Sequence, residues 1–552
     1  MSAGSVEYSS SLKDTKDEKV QVIVQDYDVE DEKVKTQVVK GKDGGNVARA
    51  NVIEQPLTSK WELIAYALYY FANNSSGPYQ YTPTAFQNLL NQGGWDADKT
   101  ERQRCSDSTT RCVVKFGGVR TIDTVVLISQ GIGFALQTVV FLCLGALADY
   151  GSWGSMILIV LSFLSWGAQF GFLGVHDGSK YKAAFALSIL TSLGYQGCQS
   201  FWTAAFPRLA RNLPSVRETE EKMLDGEITE DDYHKVDTYY RNKITNYCWA
   251  ISTMGTIIVY AVAIGILFAM KSRESDANSD WGISVVISWA TGFWIVFGVP
   301  WFFLEKKRVN QKLPEGTTYW TVGIKQLVYC FKSFFKLKQT ALYLFTYWLL
   351  GDGLNTSINI QSIIQNEVIS YDMISASYLY ILEGGTTVIG MAIYWWVQKR
   401  FKLSTKKMFV INSMFIAFFP LYGLIGTWTH KIGFHNTWEV YAYNAYSGLF
   451  ISSYYAYSST LMSEVCPRGK EFVFFAIFST INKTSSFIGP FITSAIISRT
   501  NNNNSGFSFV FGICVISLIC SFFISESKSR VECENFLIEE KRKIEKGEPL
   551  LF

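Results

Sequence analysis

Histidine is scarce and neither sign of charge dominates: the 552 residues hold four His and carry a formal net charge of +3. His176, His234, His430 and His435 all lie outside the apolar stretches, so no His metal site is indicated. So small a charge, without a basic-aromatic patch, argues against nucleic acid as a partner. No nucleophile, phosphate-cradling loop or metal cluster assembles along the chain, so an enzyme is not expected and no cofactor is implied. Residues 1–60 are polar, and no cleavable leader is expected.

What the chain has is apolar length. Twelve segments reach the roughly 20 residues that a helix needs to cross a ~30 Å hydrocarbon core. Six precede a basic central stretch: Trp61–Leu90, Val125–Leu147, Trp153–Gly174, Ala183–Phe206, Ile244–Met270 and Trp281–Leu304. Six follow it: Gln339–Asn366, Ile374–Val397, Met408–Trp428, Thr437–Met462, Glu471–Ser498 and Gly506–Ile524. The expected fold is therefore an all-α membrane protein of twelve transmembrane helices in two six-helix bundles, the major facilitator layout, with the bilayer as a partner.

The divisions follow from composition. Residues 1–60 are expected as a disordered cytosolic tail, 61–304 as the first bundle and 305–338 as a cytosolic amphipathic linker. Residues 339–525 form the second bundle and 526–552 a second cytosolic tail. That tail ends Glu548-Pro-Leu-Leu-Phe552, a loose match to an acidic dileucine sorting signal. Connections on the side of the N-terminus hold 22 Lys and Arg against 12 on the other, which puts both termini in the cytosol. Cys105 and Cys112 share the first non-cytosolic loop, where a disulfide persists if it forms; the alternative is two free thiols.

Polar groups inside spans carry the functional expectation. Asn73-Asn74-Ser-Ser-Gly-Pro78 interrupts the first helix and Gly351-Asp352-Gly-Leu-Asn355-Thr-Ser357 the seventh, matching places in the two halves. The plainer reading is that these glycines permit close helix packing. Asp352, Glu383 and Lys483 sit well inside spans, where a charge costs at least about 2.5 kcal/mol without a partner or a wet cavity. Asp352 and Lys483 are the expected couple, as a structural lock or as anchors for a zwitterion. Glu383 lacks an obvious partner and is the candidate proton carrier. With Asn73, Asn74 and Asn355, Asp352 and Lys483 make the candidate substrate set; stripes on helices 1, 4, 7 and 10 suit a hydrated central cavity. Gly145-Ala-Leu-Ala-Asp149-Tyr-Gly151 approximates the loop 2–3 motif of major facilitators, without its basic residues.

Pro467-Arg-Gly-Lys-Glu471 and Asn482-Lys483-Thr-Ser485-Ser486-Phe-Ile-Gly489-Pro490 resemble the fungal autophagy-related protein 22 family, with Asn482 and Thr484 where Asp and Gly are usual. Asp352 falls at an acidic position of that family's seventh helix, and the resemblance runs from about Trp61 to Ser525. It implies a vacuole-membrane transporter that exports amino acids of the leucine, isoleucine and tyrosine class to the cytosol during autophagic recycling. A monomer is expected. Asn503-Asn-Ser505 becomes a luminal glycosylation candidate. The alternatives are a transporter of another small solute, or a membrane scaffold for autophagic-body breakdown.

Overall fold

The computed structural model describes residues 23–29, 32–40, 46–48, 52–53, 55–73, 76–97, 105, 112–148, 153–308, 336–368, 373–468, 470–500 and 502–545. The amphipathic linker, Asp149, Asn74 and the dileucine end lie outside them, as does the side chain of Lys483.

Two units divide the chain, residues 1–55 and 56–552. In place of a structureless tail, the first contains strands β1 (Ile23–Val29), β2 (Glu32–Lys40), β3 (Asn46–Ala48) and β4 (Val52–Ile53). β1 and β2 form a hairpin that brings Val29 opposite Glu32, and β3 and β4 both pair with β2. Val and Ile recur through these strands, and their branched side chains suit a pleated surface.

The second unit is helical. Its first half comprises α1 (Lys60–Ala72), a π-helical turn (Ser76–Tyr81), α2 (Thr82–Gly93), α3 (Ile122–Ala148), α4 (Trp153–Gly171), α5 (Tyr181–Arg211), α6 (Pro214–Leu224), α7 (Glu230–Ala269) and α8 (Asp276–Leu304). Its second half comprises α9 (Lys338–Val368), α10 (Met373–Phe401), α11 (Thr405–Ile425), α12 (Thr437–Tyr446), a π-helical turn (Ser447–Ile451), α13 (Ser453–Val465), α14 (Glu471–Thr500), α15 (Phe507–Phe523) and α16 (Glu526–Glu545). Among the described residues, five helical stretches within α4, α7, α8, α11 and α15 are long and apolar enough to cross a membrane by themselves. Large apolar side chains also stand on the outside, Phe303 at 83% exposure and Phe523 at 70%. Such a surface fits acyl chains rather than water.

In lipid the hydrophobic effect does not press helices together, so contact geometry does. Within the first half α4 lies on α5, and α1 on α7 and α8; in the second, α9 lies on α14 and α15. The halves meet along α10 with α7, α3 with α14, α5 with α14, and α13 with α7. Rings fill the first half: Tyr66 stacks on Trp202 at 4.2 Å and meets Trp301 edge-on at 5.3 Å.

The seventh helix is not interrupted. α9 runs unbroken through Gly351–Ser357, which corrects the expectation of paired breaks in helices 1 and 7. Two glycines cost a helix about 1 kcal/mol each relative to Ala, and neighbouring contacts absorb it. A Cβ at Gly353 would run into Cys514 of α15. The second discontinuity instead falls in helix 10, at Ser447–Ile451.

The segment after Ser525 is also more than a tail. α16 buries Ser529, Cys533 and Phe536, a stripe at helical spacing, against α9 and α13. Lys336 pairs with Glu539, Glu532 accepts from the Gln339 N–H at 2.8 Å, and Arg530 lies 3.9 Å from Asp231 at the start of α7. The starts of α1 and α7, the ends of α5 and α8, and α16 thus share one face, hereafter the tail-side face. On the opposite face β5 (Trp95–Asp96), β6 (Cys112–Lys115) and β7 (Val119–Thr121) form a small antiparallel sheet, and a disulfide ties Cys105 to Cys112 with Cα atoms 5.8 Å apart.

Candidate functional site

Arg208 and Arg211 lie one turn apart at the end of α5, where the helix dipole favours cations. Glu471 opens α14, where it favours an anion. The two helix ends face each other across the halves: Arg211 Nη2 stands 2.7 Å from Glu471 Oε1, an ion pair rather than an aligned hydrogen bond, and Arg208 Nε 4.0 Å from Oε2. Glu471 is wholly buried. One turn into α7's inner stretch, Arg241 donates to the Ser463 carbonyl of α13 at 2.7 Å, while Asp237 holds its other nitrogen at 2.5 Å. Asn242 donates to Thr405 at 2.8 Å, and Thr405 donates to Glu464 at 2.7 Å. Thr245 and Thr460 share a hydrogen bond of 2.8 Å. This is a charged seam closing the tail side.

Beside it, Glu62 of α1 accepts from Arg308 at 2.6 and 3.0 Å. Burial pushes the neighbouring Glu305 carboxyl up to about 7, against the pull of Ser155 and Arg308.

Toward the opposite face the seam changes character. Tyr380 of α10 donates to Gln80 Oε1 at 2.9 Å, and the Tyr81 and Ser377 hydroxyls stand 3.3 Å apart. Tyr260 stacks on Tyr380 at 5.2 Å. Gln80 and Tyr81 belong to the π-helical turn of the first helix, so the Gly77-Pro78 irregularity shapes this closure.

Between the two seams lies a cluster of aromatic rings drawn from both halves. Tyr79 meets Tyr195 edge-on at 5.4 Å, and Trp249 of α7 stacks on Tyr455 of α13 at 5.5 Å. Tyr79 and Glu383 both lie within electrostatic range of Tyr455. Glu383 is half-buried, one turn below Tyr380, and accepts from Ser447 Oγ at 2.6 Å. Ser447 begins the second π-helical turn. Gly448 presses that turn onto α10: a Cβ there would collide with Thr386 Oγ1 and the Glu383 carbonyl.

The expected substrate residues fall in different surroundings. Asn73 is buried and donates to Gln199 at 3.4 Å, joining the helix 1 and helix 4 stripes. Asn355 is half-buried on α9, and Asn359 one turn on is exposed. Asp352 is only 4% exposed and accepts from the Gly489 N–H of α14 at 3.0 Å and from Thr356 at 3.5 Å. A Cβ at Gly489 would strike Thr356, so the Gly-Pro step exists to let these helices touch. Helices 7 and 11 are neighbours as expected, and the described contact between them here is carboxylate to backbone; the Lys483 side chain of the expected Asp352–Lys483 couple lies outside the described residues. Asn503 is half-buried in a short turn, Asn503–Gly506. Sequence reasoning passed over Tyr79, Tyr195, Trp249 and Tyr455, because aromatic residues are common in every span; the one available signal was Tyr79 following the Gly77-Pro78 break.

Comparison with known proteins gives the family and the fold. Residues 58–534 match the family described as Vacuole effluxer Atg22 like. The chain is 24% identical to autophagy-related protein 22 of Pichia angusta over 432 residues, 72% of this chain and 75% of that one. It is 24% identical to the protein of the same name from Yarrowia lipolytica over 484 residues, 77% and 79% of the two chains. Its fold is similar to that of the major facilitator superfamily proton:xylose symporter XylE, with TM-score 0.56 at 13% identity, covering 86% of this chain and 98% of the symporter. The architecture is that of the major facilitator superfamily.

Proposed function

The chain belongs to the Vacuole effluxer Atg22 like family, and on that premise we propose that it exports amino acids of the leucine, isoleucine and tyrosine class from the vacuolar lumen to the cytosol by alternating access. The observation that carries this reading is the aromatic cluster of Tyr79, Tyr195, Trp249 and Tyr455, contributed by both halves, with a separate seam of contacts between the halves on either side of it. A few polar anchors in an aromatic enclosure suit a zwitterion with an apolar side chain. Two seams of different chemistry suit a cycle in which one opens while the other holds.

In this reading the tail-side face is cytosolic, in keeping with its excess of Lys and Arg, and the disulfide loop is luminal. The protein spans the vacuole membrane twelve times as a monomer. Asn73, Asn74, Asn355 and Lys483 are the residues proposed to meet the substrate's polar groups, and Asp352 holds α14 through the Gly489 N–H. Asn503 carries a glycan added before its turn packs.

The test is direct. Vacuolar vesicles loaded with labelled leucine or tyrosine, with and without this protein, should differ in efflux rate. Trp249→Ala should abolish the difference while the protein still reaches the vacuole. Equal efflux from both kinds of vesicle would refute export and favour the scaffold reading.

A further inference from the structure

Glu383 is the group that the two seams leave unexplained. A carboxylate inside a span needs compensation. Among the described residues no ion pair supplies it; one oxygen takes the Ser447 hydroxyl, and Tyr443 and Tyr455 lie within electrostatic range. Glu383 is half-buried, so its carboxylate is not sealed in the packed core.

Its position is held firmly. Ser447 opens a π-helical turn, a rare irregularity that concentrates at functional sites. Gly448 locks that turn against the Glu383 backbone, and Thr387 of α10 donates to Ser452 just beyond it at 3.0 Å. An acceptor held in place in this way offers a cation a charge-assisted hydrogen bond, to which aromatic rings add attraction through their quadrupoles.

We propose that Glu383 seats the protonated amine of the transported molecule, with the Tyr79, Tyr195, Trp249 and Tyr455 rings receiving a large apolar or aromatic side chain. The proposal rests on the transport reading above and deepens it. It replaces the expectation that Glu383 carries a proton and that Asp352 receives the amine, since Asp352 already serves Gly489. Tyr380, one turn away, then closes over the bound amine through Gln80.

Binding of labelled tyrosine to the purified full-length protein tests it. Tyramine, which keeps the amine and lacks the carboxylate, should displace the label; 3-(4-hydroxyphenyl)propanoate, which lacks the amine, should not. Glu383→Gln should weaken tyrosine binding at least tenfold and Glu383→Asp less, with both proteins monodisperse. If the Gln variant fails to fold, the competition pair on the wild type decides alone. Displacement by the propanoate and not by tyramine overturns the proposal. So does a Gln variant that binds as the wild type does, including one that has lost only its response to a pH gradient, which would make Glu383 a proton carrier. A wild type that binds neither tyrosine nor leucine sinks the export reading itself, a result distinct from loss of the Glu383 assignment alone.

Discussion

The two halves are joined by unlike contacts on their two faces. On the tail side, buried charged groups reach across the halves, Arg211 and Arg208 to Glu471, and Arg241, held by Asp237 of its own helix, to the Ser463 carbonyl. On the opposite side the described contacts are neutral: hydroxyls, one amide and stacked rings. A buried charge left without its partner is costly, whereas a hydroxyl that loses a bond can find water. The tail-side seam should therefore open only when many contacts release together. The other should yield to small perturbations.

The largest expected effect breaks the charged seam. Glu471→Ala leaves Arg211 uncompensated and should cost about 3–5 kcal/mol, read as a fall in melting temperature and as new labelling of a cysteine placed on α14's first turn. Replacing Glu471 and Arg211 together with Leu should recover most of that loss. A double variant as weak as the single one would show that the pair is not the latch.

Next comes pH. Glu305 keeps its proton to about pH 7 in the folded chain, against an ordinary value of 4.5. The folded state therefore binds more protons than the unfolded state between these values, so stability falls as pH rises through that window. Glu305→Gln should remove this slope and raise stability at pH 7.5 by roughly 2 kcal/mol, with no change at pH 4.5. Thermal unfolding at the two pH values measures it, and an unchanged slope would reassign the tail-side pH response.

Asp352→Ala strips the acceptor from Gly489 and should cost about 1–3 kcal/mol. Asp352→Asn keeps an acceptor and should cost less; equal losses would mean that the charge, not the hydrogen bond, matters there. The smallest effect belongs to the neutral end. Tyr380→Phe deletes one hydrogen bond, about 1 kcal/mol, and should raise the accessibility of a cysteine at position 79 from the disulfide-loop face about fivefold while leaving the melting temperature nearly unchanged.

How much of this was legible beforehand depends on whether a contact leaves a complementary residue in the chain. Runs of twenty apolar residues announce helices, and the two halves and the adjacency of helices 7 and 11 followed. Glu471 was quoted within a motif, but the motif named no partner; Arg208 and Arg211 read only as loop charge. Asp352 was noticed for its cost, yet its partner is a backbone N–H, which no side chain advertises. Glycine signalled a break in α9 where it serves close packing, while the π-helical turn at Ser447 carried a similar Gly and drew no notice. The strands of the first 55 residues and the helix α16 were hidden for a simpler reason. Charged residues are interspersed through both stretches, so neither shows a long apolar run.

α16 touches Asp231 of the first half through Arg530 while its own apolar stripe sits on the second. Any parting of the halves on that face must stretch or break this bridge. A dye pair on Glu545 and α6 would therefore read out each turnover as a distance change, making the chain's last helix a natural gauge of which way the carrier faces.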